Sequence, residues 1–200
     1  MSHLILASAS PRRAELLKQI GLEFTTQPAD VDETPQPAEP AEAYVERLAR
    51  EKALAVAARY PEALVIGSDT SVVLGGEILG KPLNRTDACA TLARLSGRVH
   101  QVMTAVALAH RGHCRSCLVV TDVAFRPLGG EEINAYVASG EPMDKAGSYG
   151  IQGLGGIFVK ELRGSYSAVV GLPLQQTAEL LAQAGFPVWT NWPSSLESQE

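Results

Sequence analysis

The segment Leu4-Ile5-Leu6-Ala7-Ser8-Ala9-Ser10-Pro11-Arg12-Arg13 constrains the fold more than any other stretch of the chain. Leu4 to Ala7 is a short unbroken apolar run, the pattern of an inner strand. Ser10 suits a helix N-cap and Pro11 suits the first helical position. Leu16, Leu17 and Ile20 continue as an apolar stripe, and Gly21 can end the helix in a left-handed conformation. The segment therefore reads as a buried strand, a tight turn and a helix. Arg12 and Arg13 occupy the first helical turn, where the helix dipole disfavours cations. They make physical sense there if an anion binds the same turn. Free N–H groups, the Ser8 and Ser10 hydroxyls and two guanidinium forks together suit a polyphosphate. The alternative is that the arginines are simply solvated.

A chain of 200 residues can bury a full core, and one domain spanning residues 1–200 is the expectation. Its core should run from about residue 4 to 185, with a poorly ordered tail over residues 189–200. The formal net charge of −5 argues against a general nucleic-acid surface, so functional cations should be clustered locally. No run has the length of a membrane-spanning helix, and the N-terminus lacks a signal-peptide pattern. Three cysteines do not make a disulfide framework. A cytoplasmic protein with neither a membrane nor a stable nucleic-acid partner is expected.

Further candidates follow in chain order. Glu23 to Thr26 reads as a short strand. The Pro28–Pro40 loop contains Asp30-Val31-Asp32-Glu33, which is open to two readings, a hard-cation site or a solvated loop. Ala41 to Tyr60 reads as a helix. Val45, Leu48, Ala49, Lys52 and Val56 share one face of it, so Lys52 is either a functional cation or a snorkelling one. Ala63 to Ile66 reads as a strand that ends in Gly67-Ser68-Asp69-Thr70. A carboxylate at a strand end is a frequent catalytic placement, and the alternative is a turn-forming aspartate. A hairpin over Ser71–Leu79 then carries Lys81 back towards Asp69. A helix is expected over Thr86–Leu95, long strands over Val99–Ala109 and Cys114–Phe125, and a helix over Glu131–Ser139. The glycine-dense Gly147–Gly156 segment, with Gln152, is either a ligand-approach loop or a connector. Strands at Ile157–Leu162 and Ser167–Val170 and a helix at Pro173–Ala184 complete the pattern. His110, His113, Cys114 and Cys117 are zinc-ligand types, but all four fall in one hairpin tip. Strand alternation sends the two cysteines to opposite faces, which disfavours zinc.

Taken together, these motifs closely resemble the Maf family of nucleoside triphosphate pyrophosphatases. The matching segments include Ser8–Arg13, Asp30–Glu33, Val45–Lys52, Gly67–Thr70, Gly80–Pro82, Leu95–Arg98, Asp144–Gly147 and Ser165–Leu174. The resemblance implies an α/β fold with a mixed, strongly twisted sheet flanked by helices, and two lobes around a central cleft. It implies cleavage between the α- and β-phosphates, a divalent cation (Mg²⁺ or Mn²⁺) and, in many members, a homodimer. Asp69 falls at the family's proton acceptor; Ser8, Ser10, Arg12, Arg13, Lys52 and Lys81 are the candidate phosphate-binding residues by their chemistry. Glu33 and Asp69 are the candidate metal ligands, with Asp32 behind them. Arg12, Thr70 and Gln152 match the dTTP/UTP group of the family, whereas the 7-methyl-GTP group carries Trp, Gln and Glu there. A regulatory, division-linked binding role is the competing implication.

Overall fold

The computed structural model describes residues 3–192. Strand β1 (Leu4–Leu6) runs into helix α1 (Pro11–Gln19), where Ser10 Oγ accepts the Arg13 backbone N–H at the N-cap. After β2 (Thr25–Thr26) and a long loop come helix α2 (Ala41–Ala57), strands β3 (Leu64–Leu74) and β4 (Glu77–Leu79), and helix α3 (Arg85–Leu95). Strands β5 (Val99–His110) and β6 (His113–Phe125) form a long hairpin. Helix α4 (Gly130–Ala138), strand β7 (Val159–Arg163) and helices α5 (Tyr166–Val170) and α6 (Leu174–Gln183) follow. One mixed sheet takes the strands in the order β2-β1-β3-β5-β6-β7, with β4 paired to the far half of β3. β1 is parallel to β2 and β3, and the remaining pairings are antiparallel.

The long strands serve three apolar clusters. Alternate residues Leu64 and Ile66 of β3 join Leu4, Leu6, Leu16, Leu17 and Leu181 beneath α1 and α6. Val65 and Val73 face the other way, where Val45, Ala49, Ala53 and Val56 of α2 cover the sheet. Val72 and Leu74, in the second half of β3, pack with Leu92 and Leu95 of α3 and Ile133 and Val137 of α4. One face of β3 thus passes from the first cluster to the third, and its polar middle, Ser68 and Thr70, lies between them.

Three expectations change. Leu64–Leu74 is a single strand, so Asp69 stands in mid-strand and not at a strand end. The polar GSDT tetrad looks like a break, yet β5 pairs with it residue for residue, Gly67 with Ala107 through Thr70 with Thr104. Tyr166–Val170 is a helix, where a strand was expected over Ser167–Val170. Ser165 Oγ accepts the Ala168 N–H and caps it, and short apolar runs are ambiguous between the two states. At the C-terminus, Val188–Asn191 forms a 3₁₀ turn, and the Trp192 indole donates to Ile20 O at 2.8 Å. The rest of the expected loose tail, residues 193–200, lies outside the described residues.

Cys114 packs against the α2 cluster and Cys117 against the α1/α6 cluster, on opposite faces of the sheet. Among the described residues no helix is long and apolar enough to cross a membrane.

Candidate active site

The site is built where α2 lies closest to β3. Gly67 permits that approach: a Cβ there would sit 2.6 Å from Ala53 N and 2.9 Å from Ala53 Cβ, and closer still to Ala49 O. Two residues along the strand, Asp69 points to the same side. One helical turn from Leu48, Lys52 meets it. Lys52 Nζ donates to Asp69 Oδ1 at 2.8 Å and lies 2.7 Å from Glu33 Oε1. Lys52 and Asp69 are buried and Glu33 is more exposed. Tyr44, two turns before Lys52 on α2, donates its hydroxyl to Glu33 O at 2.8 Å and fixes the loop that delivers Glu33.

These surroundings split the two carboxylates. Burial pushes the Asp69 pKa above its ordinary value, against the opposing pull of Lys52 and Arg13. At Glu33 burial acts in the same upward sense, but the Lys52 hydrogen bond and the charges of Lys52, Lys81 and Arg13 outweigh it, so its pKa falls. Two neighbouring carboxylates pushed in opposite directions are a frequent sign of divided acid–base roles.

Ser68 and Thr70 project from the other face of β3, toward the loop after α5. Arg13 spans the gap. Its Nε donates to Gly171 O at 2.8 Å, and its terminal nitrogens lie 3.4 Å from Ser8 Oγ and 3.3 Å from Thr70 Oγ1. Ser68 Oγ donates to the same Gly171 carbonyl at 3.0 Å. Behind Thr70, the buried Thr104 Oγ1 lies 3.0 Å from Thr70 Oγ1 and 2.7 Å from Ala168 O. Arg13 is therefore held from three segments, the turn after β1, mid-β3 and the loop after α5, with its fork presented to the cleft.

The cleft holds about 930 Å³, within the ~300–1,000 Å³ range of small-molecule sites. It brings together Ser8, Ser10, Arg12, Arg13, Glu33, Lys52, Asp69, Thr70, Lys81 and Gln152, but of the acidic group Asp30, Asp32 and Glu33 only Glu33 lines it. Asp32 instead accepts the Thr34 N–H at 2.9 Å as a turn former. Arg12, partly exposed, lies 3.8 Å from Asp144 in the 3₁₀ turn that follows α4. Five cations line the cleft beside four carboxylates, so the acidity of the whole chain is not carried into it.

Tyr44 and Glu141 also line the cleft and escaped the sequence reading, as did any role for Asp144 and Lys145, which it held only as part of a matching segment. Tyr44 was detectable in principle, since Tyr44, Leu48 and Lys52 follow four-residue helical steps. Glu141 lies in a 3₁₀ turn and Lys145 at the extended joint between two such turns, where no period is readable.

Fold and site together define a mixed α/β protein with a cleft lined by carboxylates and cations around a buried Lys52–Asp69 pair. A HAM1 protein from Coxiella burnetii shares this fold, with a TM-score of 0.50 at 16% identity over 92% of this chain and 100% of that one. The Maf-like protein family model matches residues 3–184, and the chain belongs to that family. It is 58% identical to a dTTP/UTP pyrophosphatase of Escherichia coli O157:H7, over 91% of this chain and 93% of that protein. Proteins with the same name from Colwellia psychrerythraea and Aromatoleum aromaticum are 56% and 51% identical, covering 92% and 94% of this chain and 89% and 98% of theirs.

Proposed function

We propose that this protein hydrolyses dTTP and UTP to the nucleoside monophosphate and pyrophosphate. The observation that carries the reading is the buried Lys52–Asp69 pair facing Arg13 and Lys81 across one cleft. The names of the relatives support the substrate class.

A nucleoside triphosphate brings about four negative charges, and the cleft must offset them. Arg12 and Arg13 grip phosphate oxygens with planar forks, and Lys81 adds a compact charge. Free N–H groups at the start of α1 contribute further donors. Lys52 holds Asp69 through Oδ1, which leaves Oδ2 to take a proton from water. The water oxygen attacks the α-phosphorus as the bond to the bridging oxygen breaks, and pyrophosphate leaves. The raised pKa of Asp69 brings it nearer to the working pH of a general base.

Glu33 and Asp69 both meet Lys52 Nζ, and their free oxygens are the one or two carboxylate donors by which Mg²⁺ or Mn²⁺ would be held at the triphosphate. When bound, such an ion supplies charge neutralisation at the phosphates. Gln152 presents one donor and one acceptor, the pair that the O4 and N3–H edge of uracil or thymine requires. A cytoplasmic setting and a homodimer belong to the same proposal.

The test is pyrophosphate release from dTTP, UTP, CTP and 7-methyl-GTP with Mg²⁺ or Mn²⁺, for wild type and Gln152→Glu. Turnover of dTTP and UTP that collapses in Gln152→Glu supports the reading. Release from 7-methyl-GTP alone refutes the base assignment, and release from no nucleotide refutes the activity.

A further inference from the structure

Glu141 and Tyr136 lie outside the reacting groups, yet they form a polar cluster against the glycine-dense loop. Tyr136, on α4, is buried, and its ring packs edge-on against Phe158 at 4.9 Å. Its hydroxyl donates to Glu141 Oε1 at 3.0 Å and accepts the Gly150 N–H at 3.1 Å. Glu141 takes two more backbone donors, Leu154 N–H on Oε2 at 2.8 Å and Gly155 N–H on Oε1 at 3.1 Å. The pair thus ties down the loop at Gly150 on one side and at Leu154 and Gly155 on the other. Gln152 is the residue midway between these anchors, and it lines the cleft. The loop wraps so closely that a Cβ on Gly153 would lie 2.6 Å from Glu141 Oε1. Glycine at 153 therefore serves the fit of the loop onto its own clamp, and not only the approach of a ligand.

We infer that Tyr136 and Glu141 are positioning residues that fix the base-reading end of the cleft. They set where the Gln152 amide stands, and so how well the protein separates one pyrimidine edge from the other. The inference rests on the dTTP/UTP reading above. Uracil and thymine offer an acceptor at position 4 and a donor at N3, and cytosine offers the reverse, so a Gln152 amide free to turn over can satisfy either. A backbone pinned on both sides fixes the point from which the amide reaches the base, so the two bonds to one edge keep their geometry. The three carboxylate bonds of Glu141 are spent on this clamp, and neither residue hydrogen-bonds to Asp69, Lys52 or Arg13.

Two variants of the full-length protein test this. Tyr136→Phe keeps the ring and removes only the hydroxyl. Glu141→Gln keeps the length and replaces one acceptor oxygen with a donor amide. Pyrophosphate release is measured on dTTP and dCTP, with amide hydrogen exchange at Gly150, Leu154 and Gly155. For both variants the kcat/KM ratio of dTTP over dCTP should fall by about five- to tenfold, the worth of a hydrogen bond lost from a loop. The loss should appear in KM for dTTP, with kcat at saturation held within about threefold. Protection of the three amides should fall in parallel. An unchanged nucleotide ratio, or a drop in kcat with the ratio intact, would overturn the inference. If wild type releases pyrophosphate from no nucleotide, the activity itself is refuted. Exchange then decides the clamp alone, with unchanged protection in the variants overturning it.

Discussion

Substituting Gly67 by alanine tests how packing sets the chemistry. The new Cβ would start 2.6 Å from Ala53 N and closer still to Ala49 O, and ordinary contact needs 3.4 Å or more, so α2 must retreat by at least about 0.8 Å. The obstruction is helix backbone, which no side-chain rotation relieves. Overpacking of this kind costs about 1–3 kcal/mol. Lys52 rides on α2, and the same retreat would stretch its 2.8 Å bond to Asp69 to roughly 3.6 Å or more, beyond hydrogen-bond range. A misplacement of ~1 Å at a reacting group costs on the order of 10²-fold in rate. Gly67→Ala should therefore lose about 1–3 kcal/mol by urea unfolding and about 10²-fold in pyrophosphate release at saturating dTTP. A variant within 0.5 kcal/mol of wild type (roughly the ordinary surface effect), with turnover within about twofold, would refute the idea that close α2–β3 contact organises the site.

Other outcomes follow from single groups. His100 is 1% exposed, its Nε2 lies 2.7 Å from Tyr149 OH, and burial lowers its pKa from 6.5 to about 4. The unfolded chain then takes up a proton that the fold refuses, so stability present above pH 6.5 drains as pH falls toward 4, by about 3 kcal/mol. Urea unfolding at pH 7 and pH 4 should show that loss in wild type and about 3 kcal/mol less of it in His100→Leu. Thr104→Val deletes the hydroxyl between Thr70 Oγ1 and Ala168 O, leaves a buried carbonyl without its partner, and should cost about 1–3 kcal/mol, with Thr104→Ser recovering most of it. Arg13→Lys cannot reach Gly171 O, Ser8 and Thr70 together, and should raise KM for dTTP by about tenfold or more in steady-state assays.

Much of this site was legible because its residues sit on regular elements or next to strong punctuation. Ser10 and Pro11 announce the start of α1 and so place Arg12 and Arg13, and the four-residue step from Leu48 puts Lys52 on the buried face of α2. What escaped depends on contacts between distant segments. The polar tetrad around Asp69 looked like the end of a strand because the β5 residues that pair with it lie some 35 positions away. Nothing local to Gly67 reveals that the α2 backbone lies against it. The Tyr136–Glu141 pair and the loop it holds are linked by hydrogen bonds to backbone amides, for which any sequence offers the same donors. Val169-Val170 favoured a strand by composition, and the Ser165 cap made it a helix.

The most direct test of the proposed chemistry is pyrophosphate release from dTTP by wild type beside Asp69→Asn, at saturating substrate and divalent cation. Asparagine preserves shape and can still face Lys52, but it cannot take a proton from water. Loss of a general base costs about 10²-fold or more. A drop of that size, with thermal unfolding showing the variant still folded, is the result predicted. Near-normal turnover by Asp69→Asn would contradict the assignment of Asp69 and, with it, the central role given to the Lys52–Asp69 pair.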